Sequence, residues 1–217
     1  MLINRHNSKG MTLVEIMVAL AIVFILFAAA APNFSDWIQN TKIRSATESM
    51  LNGLAIAKNE AVHRNTTAQF VTCASNDSSW DVVVSSAAAN TNVCNTVANA
   101  GVERVQSQIL QGGSTNASVN AGQATIAFNG LGRQVSSTDL LVGGATPNPS
   151  VAVNIDVSAN LSGASCYCPA ANAGCGYPPA ISYSTTGKLR CLRIVVSSGG
   201  QVRMCDPALT PNTPQGC

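Results

Sequence analysis

Lys9-Gly10-Met11-Thr12-Leu13-Val14-Glu15-Ile16 opens an almost unbroken apolar run, and residues 11–31 read MTLVEIMVALAIVFILFAAAA. The only polar side chains in that run are Thr12 and Glu15. As a helix it spans about 30 Å, the thickness of the hydrocarbon core of a bilayer. Arg5, His6 and Lys9 precede it, so the positive-inside bias leaves the short tail in the cytoplasm and sends the rest of the chain outward. A carboxylate inside such a run costs roughly 2.5–3.5 kcal/mol on insertion scales and is normally kept for a function and a partner. A secretory signal cleaved at Ala28–Ala31, or a plain single-pass anchor, accounts for the apolarity but not for Glu15. Pro32, directly after the alanines, also disfavours cleavage there.

Beyond Pro32 the helical period continues. Ile43, Ala46, Met50, Leu54, Ala57 and Ala61 recur at spacings of three and four, which draws one apolar stripe along a helix. Asp36, Lys42, Arg44, Glu48, Lys58 and Glu60 fall mostly off it. The spacing predicts a helix from Met11 to about His63, loosened near Pro32. Gly53 is its weak point, costing up to ~1 kcal/mol relative to Ala. No heptad is sustained, so a coiled coil is not expected. His63 and Arg64 stand where they would cap the last carbonyls or oppose the helix dipole.

After Asn65 the texture changes to short β-prone runs separated by Gly, Asn and Ser. Strands are expected at 69–73, 80–84, 103–109, 124–128, 151–157, 181–184, 189–196 and 201–204. Gly112-Gly113, Asn129-Gly130, Gly143-Gly144 and Gly199-Gly200 supply turns, and residues 85–101 read as a loop containing Cys94. The class is therefore α+β, a long N-terminal helix packed on an antiparallel β domain. Residues 166–179 (CYCPAANAGCGYPP) are too rich in Pro, Gly and Cys for a regular element and read as a disulfide-stapled loop.

Composition agrees with an exported domain. Of 217 residues only 10% are charged, with 12 Lys+Arg against 10 Asp+Glu, less than half the usual density. That excludes a charge-driven disordered chain and a polybasic nucleic-acid tail. Eight cysteines without a CxxC pair, and only two histidines, favour disulfides in an oxidising compartment over a metal site. No cofactor or metal is expected. The HExxH, GxSxG and Walker patterns are missing, Gly130-Leu131-Gly132 reads as a hairpin turn, and no acid/base pair stands out, so the chain is not read as an enzyme. Trp37 and Trp80 are taken as core or interface anchors.

The segment from Lys9 to Ile16 resembles the class III leader junction of type IV prepilins and type II secretion pseudopilins. The resemblance implies a leader of residues 1–10, cut after Gly10 by a membrane prepilin peptidase, and methylation of the new N-terminus at Met11. Met11 stands where that group mostly has Phe. Glu15 becomes the fifth residue of the mature chain, placed to meet the α-amino group of a neighbouring subunit as helices stack. An opposite charge within a few Å offsets part of the desolvation cost of a buried carboxylate. The implied organisation is a transmembrane and filament-core helix (11–32), its amphipathic continuation (33–64) and a disulfide-stapled β-rich periplasmic domain (65–217). The chain would wait in the bacterial inner membrane and then join a filament with other pilins or pseudopilins through the inner-membrane assembly machinery.

Two further segments, 126–133 (IAFNGLGR) and 192–207 (LRIVVSSGGQVRMCDP), resemble the GspH/FimT group of minor pilins and pseudopilins. A C-terminal cysteine often closes a loop in that group, which implies Cys205 with Cys217. A loop of that size contributes on the order of 3 kcal/mol. Some members bind DNA through a Gly-Arg-x-Arg turn. Here the turn reads Gly200-Gln201-Val202-Arg203, so the first arginine is missing. Lys188, Arg190, Arg193 and Arg203 still cluster against Asp206, and on one hairpin they would form a cationic patch for weak, salt-sensitive phosphate binding. The ordinary reading of those cations is a charged strand edge that resists aggregation. The expected function is a minor pilin, with an H-type pseudopilin as the alternative within the family. A periplasmic or membrane-anchored binding protein is the alternative of another class.

Overall fold

The computed structural model describes residues 10–73, 78–84, 103–108, 117–121, 123–135, 152–159, 165–169, 175, 183–210 and 212–217. The leader up to Lys9, the 85–101 loop with Cys94 and the Gly112-Gly113 and Gly143-Gly144 turns lie outside them, as does most of 170–180.

One helix, α1, runs Leu13–Arg64. It passes through Pro32 without an interruption, so the expected loosening is not a break in the helix. The chain divides into two compact units, one ending at Ile38 and the other running from Gln39 to Cys217. In the first unit the apolar run exposes its large side chains, Leu13 at 76%, Phe24 at 72% and Phe27 at 71% among them. Among the described side chains, which leave out 29–33, no stretch of the helix is by itself long and apolar enough to cross a membrane.

In the second unit the six stripe residues are buried, five of them completely. Thr47 joins them at no cost in unmade bonds, because its hydroxyl donates to the Ile43 carbonyl oxygen at 2.7 Å. The helix ends at Asn65, whose φ of 47° is left-handed. The Thr66 N–H donates to the Ala61 carbonyl and the Asn65 N–H to the Val62 carbonyl, the paired bonds of a Schellman cap with Asn at its turning point. Thus Asn65 rather than His63 closes the helix. Arg64 instead bridges Glu60 and Glu103, both at 2.7 Å.

Eleven strands follow among the described residues: β1 Ala68–Thr72, β2 Trp80–Val84, β3 Glu103–Gln108, β4 Ala117–Ala121, β5 Thr125–Phe128, β6 Gln134–Val135, β7 Val153–Ala159, β8 Cys166–Tyr167, β9 Tyr183–Ser184, β10 Leu192–Val196 and β11 Val202–Cys205. They form an antiparallel sheet of order β3-β2-β1-β5-β6, a second of order β11-β10-β7-β4 and a small parallel pair β8-β9. One core joins the helix stripe to Phe70, Trp80, Val82, Ile126 and Phe128 of the first sheet. Val119, Ile155, Val157, Ile194 and Val196 of the second sheet belong to the same cluster.

Gly53 explains itself here. A Cβ at that position would stand 2.7 Å from Phe70 Cε2 and 2.9 Å from Trp80 Cζ3. The helix backbone therefore lies directly on two buried rings, which are packed 5.6 Å apart. The turn at Gly200 (φ +78°) is equally tight, since a side chain there would strike the Gly132 carbonyl oxygen. Lys58 ties the same corner, donating to the Gly200 carbonyl at 2.9 Å.

Three strands were not expected from the residues: β4, β6 and β8. The last of these places Cys166–Tyr167 in a short ladder rather than in a loop. Disulfides join Cys166 to Cys191, Cys168 to Cys175 and Cys205 to Cys217, and Cys73 is also disulfide-bonded.

Candidate functional site

At the start of α1 the residues build a cap. Thr12 precedes the first helical residue, and its hydroxyl accepts the Glu15 N–H at 3.3 Å. Its carbonyl receives the first helical hydrogen bond, from the Ile16 N–H at 3.3 Å. A Thr whose oxygen holds the third helical amide is one half of a capping box. The signal, Thr-x-x-Glu, is plain in the sequence, yet the expectation singled out Glu15 without Thr12. Glu15 also lies in the first turn, where the helix dipole favours negative charge.

The surroundings of Glu15 are apolar and open. Met11 is 69% exposed, and Leu13, Val14, Met17 and Val18 are more than half exposed. Among the described residues the Glu15 carboxylate has no ion-pair partner. A carboxylate held at a capped helix end, on a surface with every reason to leave water, can accept an ammonium group supplied from outside the subunit. Gly10 is exposed just before the cap, and a side chain there would meet open space. The junction with Met11 is therefore accessible.

The four C-terminal cations take different positions from those expected. The β10–β11 hairpin exists, with Val195 opposite Arg203 and Arg193 opposite Cys205. Arg193, however, is only 5% exposed. Its guanidinium grips Asp156 of β7, Nε to Oδ1 at 2.6 Å and Nη2 to Oδ2 at 3.3 Å. Arg190 pairs with Asp206 at 2.6 Å, and its N–H donates to Asn40 Oδ1 at 2.8 Å. Lys188, Arg190 and Arg203 are all exposed. Of the four expected cations, Arg193 is thus in a buried ion pair with Asp156, a partner far away in sequence, and Arg190 is paired with Asp206. Burial lifts the Asp156 carboxyl above its ordinary value, and Arg193 pulls it partly back. Tyr183 is pushed up to about 12 by burial and by the Asp156 charge.

Cys205 and Cys217 are joined, with Cα atoms 5.2 Å apart. Inside that loop the Asp206 N–H donates to the Gln215 carbonyl at 2.7 Å. Elsewhere a depression of about 440 Å³ is lined by Thr41, Lys42, Ser45, Ser49, Ser78 and Gln108. Its hydroxyls lack the convergent charges of a catalytic site.

The family model described as "Type II transport protein GspH" matches residues 46–163. The "Prokaryotic N-terminal methylation motif" matches residues 5–31. No curated protein sequence matches the chain. Among solved structures it is similar to the type IV minor pilin FimU of Pseudomonas aeruginosa strain PAO1 in two crystal forms. One gives a TM-score of 0.45 at 10% identity, covering 82% of this chain and 98% of that one. The other gives 0.42 at 11% identity, covering 78% and 98%. Spanning more than half of the chain with one family model and its N-terminus with a second, the match is one of family: the chain belongs to the GspH family of minor pilins and pseudopilins and carries the N-terminal methylation motif.

Proposed function

We propose that the chain is a minor pilin that is cut after Gly10, methylated on the α-amino group of Met11 and assembled through Glu15 into a type IV pilus. Before assembly residues 11–32 hold it in the inner membrane, with the domain that follows in the periplasm. The observation that carries this reading is the Glu15 carboxylate, without an ion-pair partner among the described residues and set on a capped helix end in an exposed apolar surface within the methylation motif. In a filament the methylated amine of a neighbouring subunit neutralises it, and the match fixes the register of one helix against the next. Prepilin peptidase, other pilins and the inner-membrane assembly machinery are the partners this requires.

Replacing Glu15 by Ala tests the docking role. Cleavage and methylation should proceed as in the native chain, while the variant is lost from sheared filaments. Normal incorporation of Glu15→Ala would remove the basis of the proposal. The description of the matching family favours a second reading, a pseudopilin of a type II secretion machine. Deleting the gene separates the two: loss of surface pili supports the pilus, and retention of exoproteins in the periplasm supports secretion.

A further inference from the structure

Phe34 and Trp37 have no part in the docking of Glu15, yet they form an ordered feature. Their rings stack with centroids 5.7 Å apart at an interplanar angle of 28°. Both are exposed, at 60% and 62%, whereas Trp80 is 2% exposed and belongs to the core. Trp37 is therefore not a core anchor of its own unit.

Position along the helix points to what covers the pair. At 1.5 Å per residue Phe34 lies about 32 Å from Leu13, and Trp37 about 36 Å. The hydrocarbon core is about 30 Å thick and the headgroup layers bring the total to about 40–45 Å. With Leu13 at the inner edge of the hydrocarbon, Phe34 reaches the outer edge and Trp37 falls within the outer headgroup layer. Polarity changes at the same level, because Ser35 and Asp36 are the first polar residues after Asn33 to follow the long apolar run. Trp is enriched at membrane–water boundaries, where a broad apolar ring and a polar N–H are both served.

We propose that Phe34 and Trp37 form an anchor at the outer interface of the bilayer, setting the depth at which the unassembled subunit waits. The inference rests on the membrane insertion proposed above and adds the residues and the lipid level that fix it. In this arrangement the exposed apolar side chains from Leu13 to Phe27 lie at hydrocarbon depth and the aromatic pair lies above them, with the bilayer interface as its occupant.

Lipid-resolved quenching of tryptophan tests it on the full mature chain. The protein is reconstituted in phosphatidylethanolamine and phosphatidylglycerol vesicles that carry a nitroxide either beside the headgroup or at the acyl-chain end. Trp37→Phe supplies the Trp80 background. The headgroup-level probe should quench Trp37 emission more strongly than the chain-end probe. Quenching that is stronger from the chain end overturns the assigned depth. A Trp37 that neither probe quenches in floating vesicles overturns the anchor alone, including where its emission changes only when a second pilin is added. Failure of the chain to float with the vesicles overturns the insertion itself and the inference with it.

Discussion

Replacing Arg193 by Ala should cost the β domain about 3–5 kcal/mol, the expected penalty for leaving a buried carboxylate without its counter-charge. The magnitude follows from the geometry. Arg193 meets both oxygens of Asp156, at 2.6 and 3.3 Å, and the two residues are 5% and 0% exposed. Without the guanidinium, Asp156 keeps only the influence of burial, which lifts its carboxyl above the ordinary 3.8. A group whose folded value is raised contributes stability that is present below its unfolded value and lost as pH rises through the folded one. The deficit of Arg193→Ala should therefore be largest at neutral pH and shrink on acidification toward about pH 4. Arg203→Ala, on an exposed strand position, should change stability by no more than about 0.5 kcal/mol. Replacing Arg193 and Asp156 together by Leu should restore most of the loss, since an apolar pair of similar volume needs no counter-charge. Urea unfolding of the full mature chain in detergent, followed by Trp80 emission in a Trp37→Phe background, measures all four. Equal unfolding midpoints for Arg193→Ala and Arg203→Ala would refute the reasoning and return Arg193 to the surface.

Three further outcomes are expected. Gly53→Ala should destabilise by about 1–2 kcal/mol in the same unfolding assay, because overpacking against two buried rings outweighs the helix-propensity gain of up to ~1 kcal/mol. Opening the C-terminal loop with Cys217→Ser should cost on the order of 3 kcal/mol, read as a lower urea midpoint under non-reducing conditions. Tyr183 ionises in the folded chain near 12 against an ordinary 10.0, so its neutral form contributes stability that is intact below the unfolded value and is lost as pH rises through the folded one. An alkaline unfolding profile should show that decline, and Tyr183→Phe should flatten it.

Much of the fold was legible because its signals are local. The stripe from Ile43 to Ala61 is a pattern of spacing, and every member of it is buried. The Asn129-Gly130 turn was equally open to reading: the Asn129 carboxamide oxygen accepts the Leu131 and Arg133 N–H groups, each at 3.0 Å. What stayed hidden depends on partners distant in the chain. β4, with the sequence ASVNA, has little intrinsic preference for a strand and is held by its ladder with β7. Gly53 reads as a defect until Phe70 and Trp80 are placed against it. The candidate site divides in the same way. Glu15 stands out because a carboxylate in an apolar run is costly to bury without a partner. The burial of Arg193 was not legible because Asp156, the partner that removes it from the surface, is 37 residues away. Thr12 is the opposite case, a local capping signal overshadowed by its neighbour.

Mass spectrometry of the N-terminal peptide of the chain recovered from its native membrane or filament tests the central claim most directly. A peptide beginning at Met11 with a methylated α-amino group, and no trace of residues 1–10, is the predicted result. A mature chain that begins near Pro32, or that retains Met1 through Gly10, would contradict it and leave Glu15 without the neighbouring amine on which the assembly role depends.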